Sequence, residues 1–179
     1  MFRDRIEAGL LLAAKLKKYK NDAGVVLAVP RGGVPVAYSV AMELGLPHAD
    51  VSDQYVGREL EHIRARLREM YKRFMGDKEP ESLEGKTVIV IDDGIATGNT
   101  ILGTVNVLRK SKPAKIVIGV PVASQSAVQK LSKEVDEVVA VLIPDEFYGV
   151  GAFYEDFDQV SDEEVMFYLD KLRELRKAG

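Results

Sequence analysis

The sequence predicts an α/β layer fold built on a mostly parallel sheet, and three observations carry that prediction. Four short apolar runs have strand length and no polar alternation, which is how strands covered on both faces read. Stretches of helical character lie between or around them, and strands alternating with helices build parallel sheets in layers. Two of the runs end in glycine-containing turns that open into helices, the place where open parallel sheets bind ligands.

Taken in order, the chain begins with a helical stretch from Arg3 to Lys20, then the strand "VVLAVP" from Val25 and a helix from Val34 to Gly45. A longer segment, Ser52 to Phe74, places Val56, Leu60, Ile63, Leu67, Met70 and Phe74 at alternating steps of four and three, a heptad seam. Packing of this helix on its own domain is the simplest reading, and a subunit interface is the alternative. The flanking "RARLREMYKR" offers RNA a basic surface only as a third, weaker reading, because a solvated helix face explains it as well. The strand "TVIVID" from Thr87 leads to a helix at Asn99 to Lys110, and "KIVIGV" from Lys115 leads to a short helix at Ser124 to Ser132. "EVVAVL" from Glu137 is the last strand, and Ser161 to Arg176 the last helix. Ser161 and Glu164 have capping-box spacing there, with Asp162 and Glu163 favouring the positive helix end.

A chain of 179 residues with 46% hydrophobic content can bury the core of one domain, expected to span 1–179. No cysteine is present, so thiolate metal sites, cysteine nucleophiles and disulfides are excluded. A net charge of -3 gives no global field towards nucleic acid or membrane, so an anion must be captured locally. No run approaches a membrane span, and a cytoplasmic location is expected.

The chemistry concentrates in "TVIVIDDGIATGNT", residues 87–100. Its spacing fits neither a Walker loop nor a dinucleotide fingerprint, since Gly94 and Gly98 enclose three residues and Asn99 follows. The turn "ATGNT" still suits one terminal phosphate: Gly98 allows close backbone approach, Thr97 and Thr100 offer hydroxyls, and a helix begins there. Carboxylates repel phosphate, so Asp92 and Asp93 must face vicinal hydroxyls or a hydrated divalent cation. A ribose 5-phosphate has both features. A second strand-to-helix turn, "AVPRGGVPVA", exposes backbone amides at Gly32 and Gly33 beside Arg31, which alone is a weak signal.

With these residues in view, "VIVIDDGIATGNT" closely resembles the phosphoribosyl pyrophosphate (PRPP) motif of type I phosphoribosyltransferases. The resemblance implies a three-layer, type I phosphoribosyltransferase-like fold. It also implies that Asp92 and Asp93 hold the ribose hydroxyls as the catalytic pair, and that Ala96, Thr97, Gly98, Asn99 and Thr100 cradle the 5-phosphate. By the same resemblance Arg31, Gly32 and Gly33 form the pyrophosphate loop, and Mg²⁺ offsets the pyrophosphate charge, with Asp92, Asp93 and Asp156 as indirect metal partners. "FYGVGAFYEDF" is loosely similar to the base-binding stretch of purine phosphoribosyltransferases, so Phe147 or Tyr148 would stack on a base near Asp156, although core packing fits this cluster equally well. "FRDRIEAG" and "PDEFYGVGAFYEDFDQVSDEEV" resemble a little-characterised bacterial and archaeal group of the family.

Members of that group carry a further strand with an Arg-Lys pair and a mobile loop closing over PRPP. Here "ELGLPHADVSDQYVGRE" reads as passing almost directly from one helix to the next, so the fold is expected to be shortened at 46–54. A lid positions the nucleophile and excludes water, so its loss bears on turnover. His48 and His62 read as surface histidines. Two functions follow: Mg²⁺-dependent transfer of 5-phosphoribosyl from PRPP to a nitrogenous base, a purine among the candidates, with release of pyrophosphate; or a PRPP- or nucleotide-binding regulator with impaired turnover. A sheet that has lost strands exposes an edge, which the heptad helix or a second subunit in a homodimer would cover.

Overall fold

The computed structural model describes residues 1–50 and 82–178. The heptad segment and His62 lie outside the described residues, so the readings that rest on them stand as expectations.

Among the described residues five strands form one parallel sheet: β1 (Gly24–Ala28), β2 (His48–Asp50), β3 (Thr87–Ile91), β4 (Lys115–Val122) and β5 (Glu137–Leu142), in the order β2-β1-β3-β4-β5. Around them lie α1 (Arg5–Leu16), α2 (Gly33–Leu44), α3 (Asn99–Leu108), α4 (Gln125–Leu131) and α5 (Asp162–Ala178). All five residues of β1 and of β3 are buried, as their unbroken apolar runs require. Alternate side chains enter opposite cores. Val26, Ala28, Ile89, Ile91 and Val117 pack with Leu12 and Leu16 of α1, Val40 of α2 and Val165 of α5. Val25, Leu27, Val88, Val90 and Ile118 pack with Ile101 and Val105 of α3 and Leu131 of α4. Each such aliphatic side chain contributes about 1.5–3 kcal/mol when fully buried, which makes this three-layer sandwich the stable arrangement.

One expectation is corrected. The connection after α2 does not pass straight to another helix, because His48, Ala49 and Asp50 pair with Val26, Leu27 and Ala28 of β1. "HAD" lacks the apolar run that marks a strand, and pairing through backbone bonds, seen among the described residues with β1, needs none. This strand covers the flank of β1, which is therefore not an edge.

Helix starts follow local chemistry. Asp4 caps α1 through its Oδ1, which accepts from the Glu7 amide at 2.8 Å. The capping box at α5 is reciprocal: the Ser161 amide donates to Glu164 Oε2 at 2.8 Å, and the Glu164 amide to Ser161 Oγ at 3.1 Å. Among the described residues no helix is long and apolar enough to cross a membrane.

Candidate functional site

From β1 the chain moves outward to β2, whereas from β3 it moves through β4 to β5 on the other side. The sheet therefore reverses its winding between β1 and β3, and a crevice opens there at the carboxyl ends of the strands. Ala28 is in register with Ile91, so the turns that follow β1 and β3 leave the sheet side by side. Both sequence motifs sit in those turns.

Glycine is required where the turns meet. A Cβ on Gly32 would lie 2.0 Å from Asp93 Oδ2, and one on Gly33 would lie 2.6 Å from the Ile91 carbonyl oxygen. The "PRGG" backbone is thus packed directly against the two acids. Val29 donates its amide to the Ile91 carbonyl at 2.8 Å, and Gly33 donates to the Val29 carbonyl at 3.0 Å, which shapes the loop. Arg31, half-buried, donates from its guanidinium to Asp162 Oδ1 at 3.0 Å, so an acid at the start of α5 holds it.

The two acids differ in their surroundings. Asp92 accepts from the Asp93 amide through Oδ1 at 2.9 Å, and its pKa stands well above the usual carboxylate range because of burial first and the Asp93 charge second. Asp93 Oδ2 accepts from Arg5 Nε at 2.9 Å, and the two side chains are only 14% and 11% exposed. A strand-end position alone would leave Asp93 outside the core; instead it is the acceptor of a nearly buried ion pair. The Arg5 guanidinium also donates to the Asp158 carbonyl at 2.8 Å and lies over the Phe157 ring at 4.0 Å.

The phosphate-turn candidates occupy the start of α3. Ala96, Thr97, Asn99 and Thr100 are exposed, and Gly98, with φ +74, turns the chain into the helix. Gly98 gives α3 no side-chain cap, and the Asn99 amide donates to Thr97 Oγ1 at 3.5 Å. Ser124, at the start of α4, donates through Oγ to the Ala96 carbonyl at 2.6 Å and accepts from the Ala127 amide at 3.1 Å. The turn is therefore tied to the cap of the next helix.

The aromatic candidates separate. Phe147 is half-buried and packs on Phe153 with ring centroids 5.6 Å apart, whereas Tyr148 is 80% exposed and donates its hydroxyl to Glu146. Asp156 is exposed and its Oδ1 accepts from the Asp158 amide at 3.2 Å. Among the described residues no three His, Asp or Glu side chains form a group that could hold a metal ion, so Asp92, Asp93 and Asp156 do not make a protein cage. The adjacent carboxylates do fit the way Mg²⁺ is commonly held, through one or two acids together with the phosphates of a substrate.

Three contributors escaped the sequence reading. Arg5 stands 88 positions from Asp93, and the only signal was its place in "FRDRIEAG". Tyr154 is buried and donates its hydroxyl to the Asp93 carbonyl at 2.6 Å; burial, then the Asp93 charge, raises its pKa. Lys130 of α4 donates its ammonium to Asn99 Oδ1, bringing a cation to the candidate phosphate turn.

Comparison with known proteins bears on the same residues. Two Mycobacterium tuberculosis strains carry proteins provisionally named phosphoribosyl transferases that are 33% identical over 220 aligned positions, covering 100% of this chain and 49% of theirs. The chain thus spans about half the length of the curated relatives it matches, and the aligned stretch exceeds its 179 residues, so those relatives carry insertions. An amidophosphoribosyltransferase of Methanocaldococcus jannaschii is 33% identical over 125 residues, covering 68% of this chain and 26% of its own length. A crystal structure from Thermus thermophilus superposes with a TM-score of 0.81 at 33% identity, covering 96% of this chain and 99% of its own. Purine phosphoribosyltransferase from Pyrococcus horikoshii, at 21% identity and a TM-score of 0.52 with 88% of this chain and 93% of its own covered, shares the fold. The model of the phosphoribosyl transferase domain matches residues 5–158, which run from the arginine on α1 through both turns, and the chain belongs to that family, with its type I fold.

Proposed function

We propose that this chain binds PRPP in the crevice between β1 and β3 and transfers its 5-phosphoribosyl group to a nitrogenous base, releasing pyrophosphate. One observation carries the reading: the glycine backbone of the "PRGG" turn lies so close to Asp93 that no Cβ fits between them, and the turn after Asp93 runs into α3, which has no side-chain cap at Gly98. Such a crevice offers, in sequence, amides for one anion, carboxylates for hydroxyls and amides for a second anion. PRPP has that order of groups.

On this reading the α3 amides and the Thr97 and Thr100 hydroxyls hold the 5-phosphate, with Lys130 supplying a nearby positive charge. The ribose hydroxyls donate to Asp92 and Asp93, and those hydrogen bonds favour the ionised acid that burial alone disfavours. As the bond from C1 of the ribose to the pyrophosphate oxygen breaks, its electron pair leaves with the pyrophosphate and C1 gains positive character. The carboxylates lie on the face where that charge develops. Arg31 and the Gly32 and Gly33 amides receive the leaving anion, and the base nitrogen closes the new bond to C1 while its proton passes to solvent. Mg²⁺, held through PRPP phosphates and the strand-end acids, would supply the charge neutralisation that pyrophosphate departure needs. Tyr148 presents the more exposed ring for a base to stack upon, purines included.

A regulator that binds PRPP or a nucleotide with impaired turnover is the second reading. It is favoured by the internal pairing of two site residues, Arg31 with Asp162 and Asp93 with Arg5. Calorimetry with PRPP and Mg²⁺, run beside pyrophosphate release over a panel of bases, separates the two. Binding with release from at least one base is expected; binding without release for every base leaves the regulator, and no binding sinks both.

A further inference from the structure

Arg5 occupies the first position of α1, where a cation opposes the positive end of the helix. A residue placed against its local preference is compensated elsewhere, and here the compensation is Asp93. The side chain is 11% exposed, and its guanidinium meets Asp93 Oδ2 at 2.9 Å, the Asp158 carbonyl at 2.8 Å and the face of Phe157 at 4.0 Å. Its approach is built by both ends of the domain. The Phe2 amide donates to the Phe153 carbonyl at 2.8 Å, the Glu155 amide to that of Phe2 at 2.8 Å and the Asp156 amide to that of Arg3 at 2.9 Å, so residues 2–3 are stitched to 153–156. Tyr154, inside that seam, fixes the Asp93 carbonyl while Arg5 fixes its carboxylate. Asp93 is therefore held at backbone and side chain by a clasp built from outside both motifs.

We propose that Arg5 is a positioning residue whose role is to aim the Asp93 carboxylate at the ribose hydroxyls. Oδ2 is held on Arg5 and lies against Gly32, so the carboxylate's remaining lone pairs meet the sugar with little reorganisation. This rests on the reading that the acids hold hydroxyls, and the two can fail separately.

Ribose 5-phosphate and 2-deoxyribose 5-phosphate, titrated calorimetrically without metal, separate aiming from folding because they differ only in one hydroxyl. The unaltered chain is expected to prefer ribose 5-phosphate by about tenfold or more, the range of a hydrogen bond to a charged group. Arg5→Gln should bring the two sugars to within about twofold by weakening ribose 5-phosphate alone, and Arg5→Lys should restore part of the preference. Phe157→Leu removes the ring beneath the guanidinium, keeps the ion pair and should give a smaller loss in the same direction. Equal weakening of both sugars in Arg5→Gln and Phe157→Leu, or an undiminished preference in either, overturns the proposal and leaves hydroxyl binding intact. Absence of any preference in the unaltered chain overturns both.

Discussion

The two ends of the sheet hold carboxylates in opposite electrostatic states. At the carboxyl end, burial and the Asp93 charge push the Asp92 pKa well up, and among the described residues Arg5 is the cation that opposes this shift while pairing with Asp93. At the amino end, Glu137 opens β5 beside a shallow cavity of about 320 Å³, accepting from Lys18 at 2.6 Å and from the Tyr19 hydroxyl, and Lys18 first and Tyr19 second hold its pKa below the ordinary value. Glu137 is satisfied by its two partners, whereas Asp92, whose burial Arg5 offsets only in part, stores a demand that a ligand can meet. A cavity of about 390 Å³ beside Arg109, Lys112 and Glu134 is also at the amino end, away from the candidate site. Acidic imbalance at a sheet switch point is the better guide.

The strongest way to break this contrast is Asp93→Asn. It leaves Arg5 nearly buried without its anionic partner, so unfolding free energy should fall by about 3 kcal/mol, and PRPP affinity should fall about tenfold or more. Urea unfolding and calorimetry measure the two; unchanged affinity removes Asp93 from the site. Gly33→Ala comes next, because its Cβ would meet the Ile91 carbonyl oxygen, a backbone atom that cannot turn away. A stability loss of about 1–3 kcal/mol and weaker pyrophosphate binding are expected, read by the same two methods.

Ser124→Ala sharpens the phosphate end. It removes the cap of α4 and the bond to the Ala96 carbonyl, costing about 1–2 kcal/mol, and should weaken inorganic phosphate binding only severalfold, since the α3 amides remain. Retained stability would dismiss the tie between α4 and the turn. Glu137→Gln should have the smallest effect, at most about 1 kcal/mol near neutral pH and none on PRPP affinity. Because the folded pKa of Glu137 lies below its ordinary 4.5, its contribution is present above that pH and is lost as pH falls through the folded value. The stability difference between the two proteins should thus shrink below about pH 4.5, measured by thermal unfolding across pH.

Legibility in the sequence followed the range of the interactions. The strands at Val25, Thr87 and Lys115 were readable because burial on both faces demands unbroken apolar runs, that at Glu137 because it keeps such a run although only Val139 of it is buried, and the Ser161–Glu164 box because both partners lie within one turn. Both glycine turns were readable because their close backbone approaches and left-handed geometry demand glycine at particular positions. The strand at His48–Asp50 was not, since its pairing uses only backbone atoms that every sequence possesses.

The sequence by itself determined the layer architecture, the two turns and the pair of acids, each a consequence of local chemistry and periodicity. Only the tertiary structure decided which acid is which. Arg5 reaches Asp93 across 88 positions, Arg31 meets Asp162 across 131, and Tyr154 meets Asp93 across 61, and no spacing rule encodes such contacts. They arise when folding brings the first helix, the switch point and the C-terminal segment to one end of the sheet, where partial burial turns neighbouring charges into partners.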